Sequence, residues 1–231
     1  MHWRVAEQAH PAFPKQLNSP WERLSSVEIS ETKIPTFGLE DTFLVLSAHA
    51  AKHAWGRLRW ICDLAELIRT NRDLDWDDIL GCAREAGPIA ERTLLTSVLL
   101  SDRLLNAGAP AELLAADNGY KAVRATTDQV SAGLAKTSDD WPMWWPRSFE
   151  TDHQFLAMLD GPLARVRYFA RFGVLRVSMP DAKDRAAVDL PSGLDFLYYL
   201  SRPFRMFREY GLRPAAAFGG LVRDLLLSPK R

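Results

Sequence analysis

The sequence predicts a mainly α protein: a multi-helix domain preceded by a short extended or β segment at the N-terminus. Three observations carry this. From Gly38 onward apolar residues recur at helical spacing, beginning with Phe43, Leu44, Leu46, Ala50 and Ala51. The first 35 residues break that pattern, with an alternating HWRV and with Pro11, Pro14, Pro20 and Pro35 as punctuation. A chain of 231 residues with 47% hydrophobic content can bury a substantial core, as one large domain or two small ones. The boundary expected is 1–36 for the N-terminal segment and 37–231 for the helical domain.

The elements follow in order. HWRV alternates as a strand does, and WERLSSVEISETKIP can hold a second short extended segment. Two strands without a larger sheet are marginal in water, so they need the helices or another chain to pack on. Glu40 and Asp41 open the first helix, where they suit the positive end of the helix dipole, and that helix is expected to run to about Trp55. Gly56 breaks it. LRWICDLAELIR then forms a second helix with Leu58, Ile61, Leu64, Ala65 and Ile68 on the buried side. Asp75, with Asp78 three residues on, reads as the N-cap of a helix through Glu85 that ends at Gly87.

A strongly apolar helix is expected at 89–106, stopped by Asn106, Gly108 and Pro110, with shorter helices at 110–117 and 119–136. TSDDWPMWWPRS, with three tryptophans and two prolines, is too rigid and apolar for a flexible linker and reads as a loop packed on the helices. A long helix over 149–176, kinked near Gly161 and Pro162, a loop MPDAKDRAAVDLPS, and helices at about 193–209 and 214–227 complete the chain. No repeat is evident.

Composition narrows the function classes. Lys plus Arg and Asp plus Glu are 29 each, so no overall charge bias points to nucleic acid, which is not expected as a partner. Gly161 to Arg231 nonetheless carries 13 basic against 6 acidic residues, which a solvated Arg-rich surface explains as well as a phosphate-binding one. Cys62 and Cys82 sit in helical apolar patterns and read as small hydrophobes, with no disulfide framework or Cys-based zinc site. No signal-like leader or membrane-length apolar run stands out, so the expectation is a cytoplasmic chain without a membrane partner.

The chemistry concentrates in HAAKHAWGRLRWICDLAEL, residues 49–67. His49 and His53 are four apart and share a helix face, about 40° from one another. That spacing suits a two-histidine metal site, but the zincin pattern needs a glutamate where Ala50 stands, and a third ligand such as Asp63 requires the second helix to fold back over the first. A second role is phosphate binding by Lys52, His53, Arg57 and Arg59, since arginine forks match phosphate oxygens, although Arg59 and Asp63 at four residues' spacing can satisfy each other. The third role is packing, in which His49 and His53 meet the second helix and Asp63 and the arginines close a buried hydrogen-bond network. Packing is the favoured expectation; Lys52, His53, Arg57, Arg59 and Asp63 are the candidate substrate-binding residues. No Gly-rich phosphate loop, Ser-His-Asp arrangement or CxxC occurs.

HWRV, LEDTFLVLSAHAAKHAWGRLRWICDLAELI with DLDWDDIL after it, and LPSGLDFLYYLSRPFRMFREYG together resemble the uncharacterised nucleotidyltransferase family of bacteria, over most of the chain. The resemblance implies a small α/β catalytic unit followed by a helical portion, with an Asp-x-Asp pair on a strand holding Mg²⁺ and the nucleoside triphosphate. Met1 stands directly before His2, so the expectation is that the chain opens inside the last strand of that unit. Residues 1–36 are then its remnant and connection, and the carboxylates of two-metal chemistry lie outside the chain. Asp73, Asp75, Asp77 and Asp78 read as a helix entrance rather than replacements.

No catalytic or metal residue and no cofactor is therefore expected in this chain, with Mg²⁺ implied for a full-length family member. Two functions follow. In one, the chain is the C-terminal portion of a transferase that moves a nucleoside monophosphate to an acceptor, inactive alone, with a nucleotide or small-molecule acceptor as partner and a separate catalytic chain if the gene is split. In the other it is a stand-alone helical binding or interaction module without catalysis.

Overall fold

Ser30 and Glu31 reverse the chain with φ of 47° and 66°, the paired left-handed residues that a two-residue hairpin turn requires. They join strand β1 (Leu24–Ile29) to strand β2 (Thr32–Phe37), antiparallel, with Val27 opposite Ile34. This computed structural model describes Ala12 and residues 24–115, 120–134, 154–168, 170, 182–188, 190–191 and 193–210. The hairpin supplies the extended N-terminal segment expected from WERLSSVEISETKIP; HWRV, the tryptophan-rich stretch 137–148 and the helix expected at 214–227 lie outside the described residues. The architecture is otherwise helical, as predicted.

The chain divides into two compact units, Met1–Leu159 and Asp160–Arg231, a division inside the stretch 37–231 read from sequence as one helical domain. In the first, helices α1 (Leu39–Lys52), α2 (Leu58–Thr70), α3 (Trp76–Ala86), α4 (Pro88–Leu105), α5 (Ala111–Leu114) and α6 (Lys121–Leu134) follow the hairpin. α4 is the axis, and α1, α2, α3, α5 and α6 all pack on it. Every residue from Arg92 to Ser101 is buried, the condition of a helix enclosed all round. Its hydroxyls are satisfied locally: Thr96 donates to the Arg92 carbonyl at 2.7 Å and Ser101 to the Ser97 carbonyl at 2.8 Å.

Local chemistry explains the helix ends. Asp75 caps α3 as its sequence context predicts, its carboxylate accepting the Asp78 N–H at 2.9 Å. Glu40 at the start of α1 accepts the Asp75 N–H at 3.3 Å, tying the two helix entrances together. α4 ends where Asn106 turns left-handed at φ 51°. Beyond it Asp102 accepts the N–H groups of Gly108 and Ala109 at 3.0 and 3.3 Å, while Arg69 and Arg72 of α2 and its exit donate to the carbonyls of Leu105 and Gly108. Gly108 is needed there: its φ is +76°, and a Cβ would stand 2.8 Å from Arg72 Nη1.

In the second unit, α7 (Gly161–Tyr168) starts at Gly161, φ +78°, after a helical turn at 154–157 has ended. The expected kink near Gly161 is thus a full break. Residues AKDRAA, expected in a loop, form α8 (Ala182–Ala187), because Asp184 is drawn inward by α9 (Leu197–Tyr210). Asp184 is 1% exposed and pairs with both Arg202 and Arg205. The Tyr198 hydroxyl donates to the Val188 carbonyl at 2.9 Å and accepts the Leu190 N–H at 3.3 Å. α9 therefore turns charge inward and leaves Tyr199, Leu200 and Phe204 exposed, the last at 78%. A second correction concerns Cys62, which lies on the solvent side of α2, whereas Cys82 is buried as expected.

Candidate functional site

α1 stops at Lys52, one turn before the expected end, because a distant contact captures Trp55. Ala54 and Trp55 both take left-handed backbone, φ 54° and 48°. Trp55 N–H still reaches the Ala50 carbonyl at 2.8 Å, and Gly56 N–H the His53 carbonyl at 3.0 Å. A non-glycine residue in this region costs about 1–2 kcal/mol. Complete burial of the indole, 0% exposed, and donation from its Nε1–H to Ser97 Oγ of α4 at 3.0 Å offset that cost. The turn is thereby pinned to the central helix, and α2 starts beside the last turn of α1.

Trp60, in the first turn of α2, organises what meets there. It is 8% exposed. The His53 ring stacks on it with centroids 4.9 Å apart and planes at 22°. The His49 ring stands edge-on to Trp60 at 5.6 Å and to His53 at 4.9 Å. The guanidinium carbons of Arg57 and Arg59 lie 5.7 and 6.0 Å from the indole centroid, within cation–π range.

Of the predicted substrate-binding residues, His53, Arg57 and Arg59 thus gather on one aromatic ring, and Lys52 adds its charge beside His49. Asp63 does not join them. It is exposed and makes no hydrogen bond or ion pair among the described residues, so the buried network expected to close on it does not form. The physical reason is competition for Arg59, whose guanidinium lies by the indole rather than against the carboxylate one turn on. His49 is exposed as well, so its ring contacts lie at a surface. Trp60, which is not among the candidate residues read from the sequence, is the organising residue. Its signal is the close spacing of Arg57, Arg59 and Trp60.

Lys52, Arg57 and Arg59 are exposed, and the first turn of α2 holds no acidic residue of its own to offset the positive end of its dipole. Other arginines of this unit are engaged with oxygen: Arg84 with Glu91 at 2.9 Å, Arg103 with Asp128, Arg69 and Arg72 with backbone carbonyls, and Arg92 with the Met158 carbonyl. Arg57 and Arg59 have no such oxygen among the described residues.

The cluster also acts on His49, whose pKa is held below 6.5 by the partial desolvation of its ring first, then by the charges of Lys52 and Arg59. An unfolded chain takes up the proton near 6.5 and the folded chain only at lower pH, so this residue's contribution to stability falls as pH drops through that window. In an NMR titration the His49 imidazole is expected to titrate below 6.5, and Lys52→Gln to move it upward. A His49 midpoint at or above 6.5 in the unsubstituted chain would contradict this electrostatic picture.

Among the described residues no three His, Cys, Asp or Glu side chains stand together as a metal ion would need. The acids of NRDLDWDDIL serve the α3 entrance, where Asp75 caps and Asp77 and Asp78 occupy the first turn. Compared with known proteins, residues 1–106 match the model of a family described as uncharacterised nucleotidyltransferase. The match relates the hairpin, helices α1 to α4 and the whole cationic cluster to that family, and LPSGLDFLYYLSRPFRMFREYG lies beyond it. No curated protein and no solved structure matches the chain.

Proposed function

We propose that the chain serves nucleotidyl transfer as a helical, substrate-holding portion, in a reaction that moves a nucleoside monophosphate from its triphosphate to an acceptor with release of pyrophosphate. Two things support this reading: the family match over residues 1–106, and the placement of the cationic cluster within it. The observation that carries it is the pair Arg57 and Arg59, exposed, braced on Trp60 and without an acidic partner among the described residues. Such guanidinium groups fit phosphate oxygens.

Mg²⁺, which the resemblance implies, does not fit this face, since a hard dication needs oxygen donors and the cluster presents cations. The chain's own contribution is to bind and orient the substrate, and the carboxylates of the metal-assisted step come from outside the described residues. With α-labelled ATP, GTP, CTP and UTP in the presence of Mg²⁺, the chain is expected to retain nucleotide saturably without forming a covalent label on itself or an added acceptor. Failure to retain all four contradicts the reading, and covalent transfer by the chain alone contradicts the division of labour.

A second reading, a helical interaction module without catalysis, draws on the exposed Phe196, Tyr199, Leu200 and Phe204 of the second unit. It predicts no nucleotide retention.

A further inference from the structure

We propose that the outer edge of β1 is a self-association edge, on which β1 of a second copy of this chain pairs antiparallel about a two-fold axis to give a four-stranded sheet. The inference is independent of nucleotide binding and concerns the hairpin alone.

The hairpin register decides which edge is open. Among the described residues the sheet has two strands, so each has an outer edge. Residues of an antiparallel pair alternate between those that bond one another and those whose N–H and C=O point outward. The two-residue turn makes Ile29 and Thr32 a bonded pair, so Val27 and Ile34 bond as well, while Ser26, Glu28, Lys33 and Pro35 point their backbone groups outward. Pro35 therefore removes an outward donor from β2 and blunts that edge, as prolines do on edge strands. On β1 the outward groups of Ser26 and Glu28 remain complete.

The hairpin is also uncovered. Only Leu24 and Phe37 at its base are half-buried, and every residue from Ser25 to Thr36 is exposed. Val27, Ile29 and Ile34 share one face and are 44%, 55% and 42% exposed. Two strands alone are marginal in water, and further strands stabilise them.

The sequence of β1 fits a copy of itself. Setting Val27 against the partner's Val27 makes one apolar row across four strands, from Ile34 through both valines to the partner's Ile34. In the same register the outward groups of Ser26 meet those of the partner's Glu28. Each Glu28 then lies between its own Lys33 and an uncharged serine. A slip of two residues one way would set the two Glu28 carboxylates opposite each other, and a slip the other way would put Val27 against the partner's Ser25 and break the row. Pro35 lies on the outer strand at both ends of the new sheet, so growth stops at the dimer. One short strand from each side falls below the roughly 1,200 Å² of a stable interface, so association is weak and concentration-dependent.

Sedimentation equilibrium of the full chain, from micromolar to millimolar concentration, tests this. The unsubstituted chain is expected to pass from monomer to dimer and no further. Ser26→Pro removes an outward donor as Pro35 does on β2, and is expected to raise the dimer dissociation constant on the order of tenfold or more. The Val27 and Ile29 amides, bonded within the hairpin, are expected to keep their exchange protection in that variant. Val27→Lys and Val27→Glu each set like charges across the two-fold axis and are expected to be monomeric alone. An equimolar mixture of the two is expected to restore the dimer, because opposite charges then face each other.

A chain that stays monomeric throughout overturns the proposal and leaves the edge to a strand of another protein. Assembly beyond the dimer, a dimer that Ser26→Pro and Val27→Lys both leave intact, or a mixture that fails to associate overturns it as well. So does slow exchange of the Ser26 and Glu28 amides in the dilute monomer, since another segment of the same chain then occupies the edge.

Discussion

Trp55→Ala is expected to destabilise the first unit by about 3–5 kcal/mol, the range for truncating a fully buried large aromatic side chain. The indole is 0% exposed and its Nε1–H donates to Ser97 Oγ at 3.0 Å, so truncation opens a cavity beside α4 and leaves a buried hydroxyl without its donor. Alanine at φ 48° keeps the backbone strain while losing the contacts that sustain it. Domains of this kind are stable by only about 5–15 kcal/mol, so the variant will sit close to its unfolding limit. Ser97→Ala, which strands the indole N–H, is expected to cost about 1–3 kcal/mol. Urea unfolding followed by far-ultraviolet circular dichroism measures both. A loss below about 1 kcal/mol for Trp55→Ala would mean that the turn is held by something other than this contact.

Asp184→Ala is the corresponding lesion in the second unit. Its carboxylate is fully buried and shared by Arg202 and Arg205, so removing it breaks an ion pair with each of two guanidinium groups. Breaking a buried ion pair from one side costs about 3–5 kcal/mol. Replacing all three residues together, Asp184→Leu with Arg202→Met and Arg205→Met, is expected to recover most of the loss, because the desolvation of charge disappears along with its pairing. Hydrogen exchange over residues 182–210 reads the outcome in this unit alone. Unchanged protection in Asp184→Ala would show that α8 and α9 are joined by other contacts.

What could be read in the sequence was what is local. Asp75 and Asp78 announce a capped helix within four residues, and the Asn106–Gly108–Pro110 stop follows from backbone preferences at those positions. The clustering of Lys52, His53, Arg57 and Arg59 is legible because a span of eight residues holds all four. What was not legible depends on distant partners. The end of α1 is decided by Trp55 and Ser97, 42 residues apart, so helical periodicity alone carries the helix too far.

α8 is decided by Asp184 meeting Arg202 and Arg205 of a later helix, and a loop-like composition hides it. Asp63 stands four residues after Arg59, a spacing that permits an ion pair without compelling one, and the nearby indole of Trp60 draws the guanidinium instead. Cys62 is adjacent to the buried Ile61 yet points to solvent, since neighbouring positions on a helix are about 100° apart.

The central claim is that cations held at the junction of α1 and α2 are the binding surface of this chain. Side-chain NMR of the full chain during titration with ATP tests it most directly, following the imidazoles of His49 and His53, the Nε–Hε groups of Arg57 and Arg59, and the indole N–H of Trp60. The account predicts that these signals shift together along one saturation curve, with His49 moving toward its protonated form and the indole of Trp55 unmoved. Saturable shifts located elsewhere in the chain, with this group silent, would contradict it.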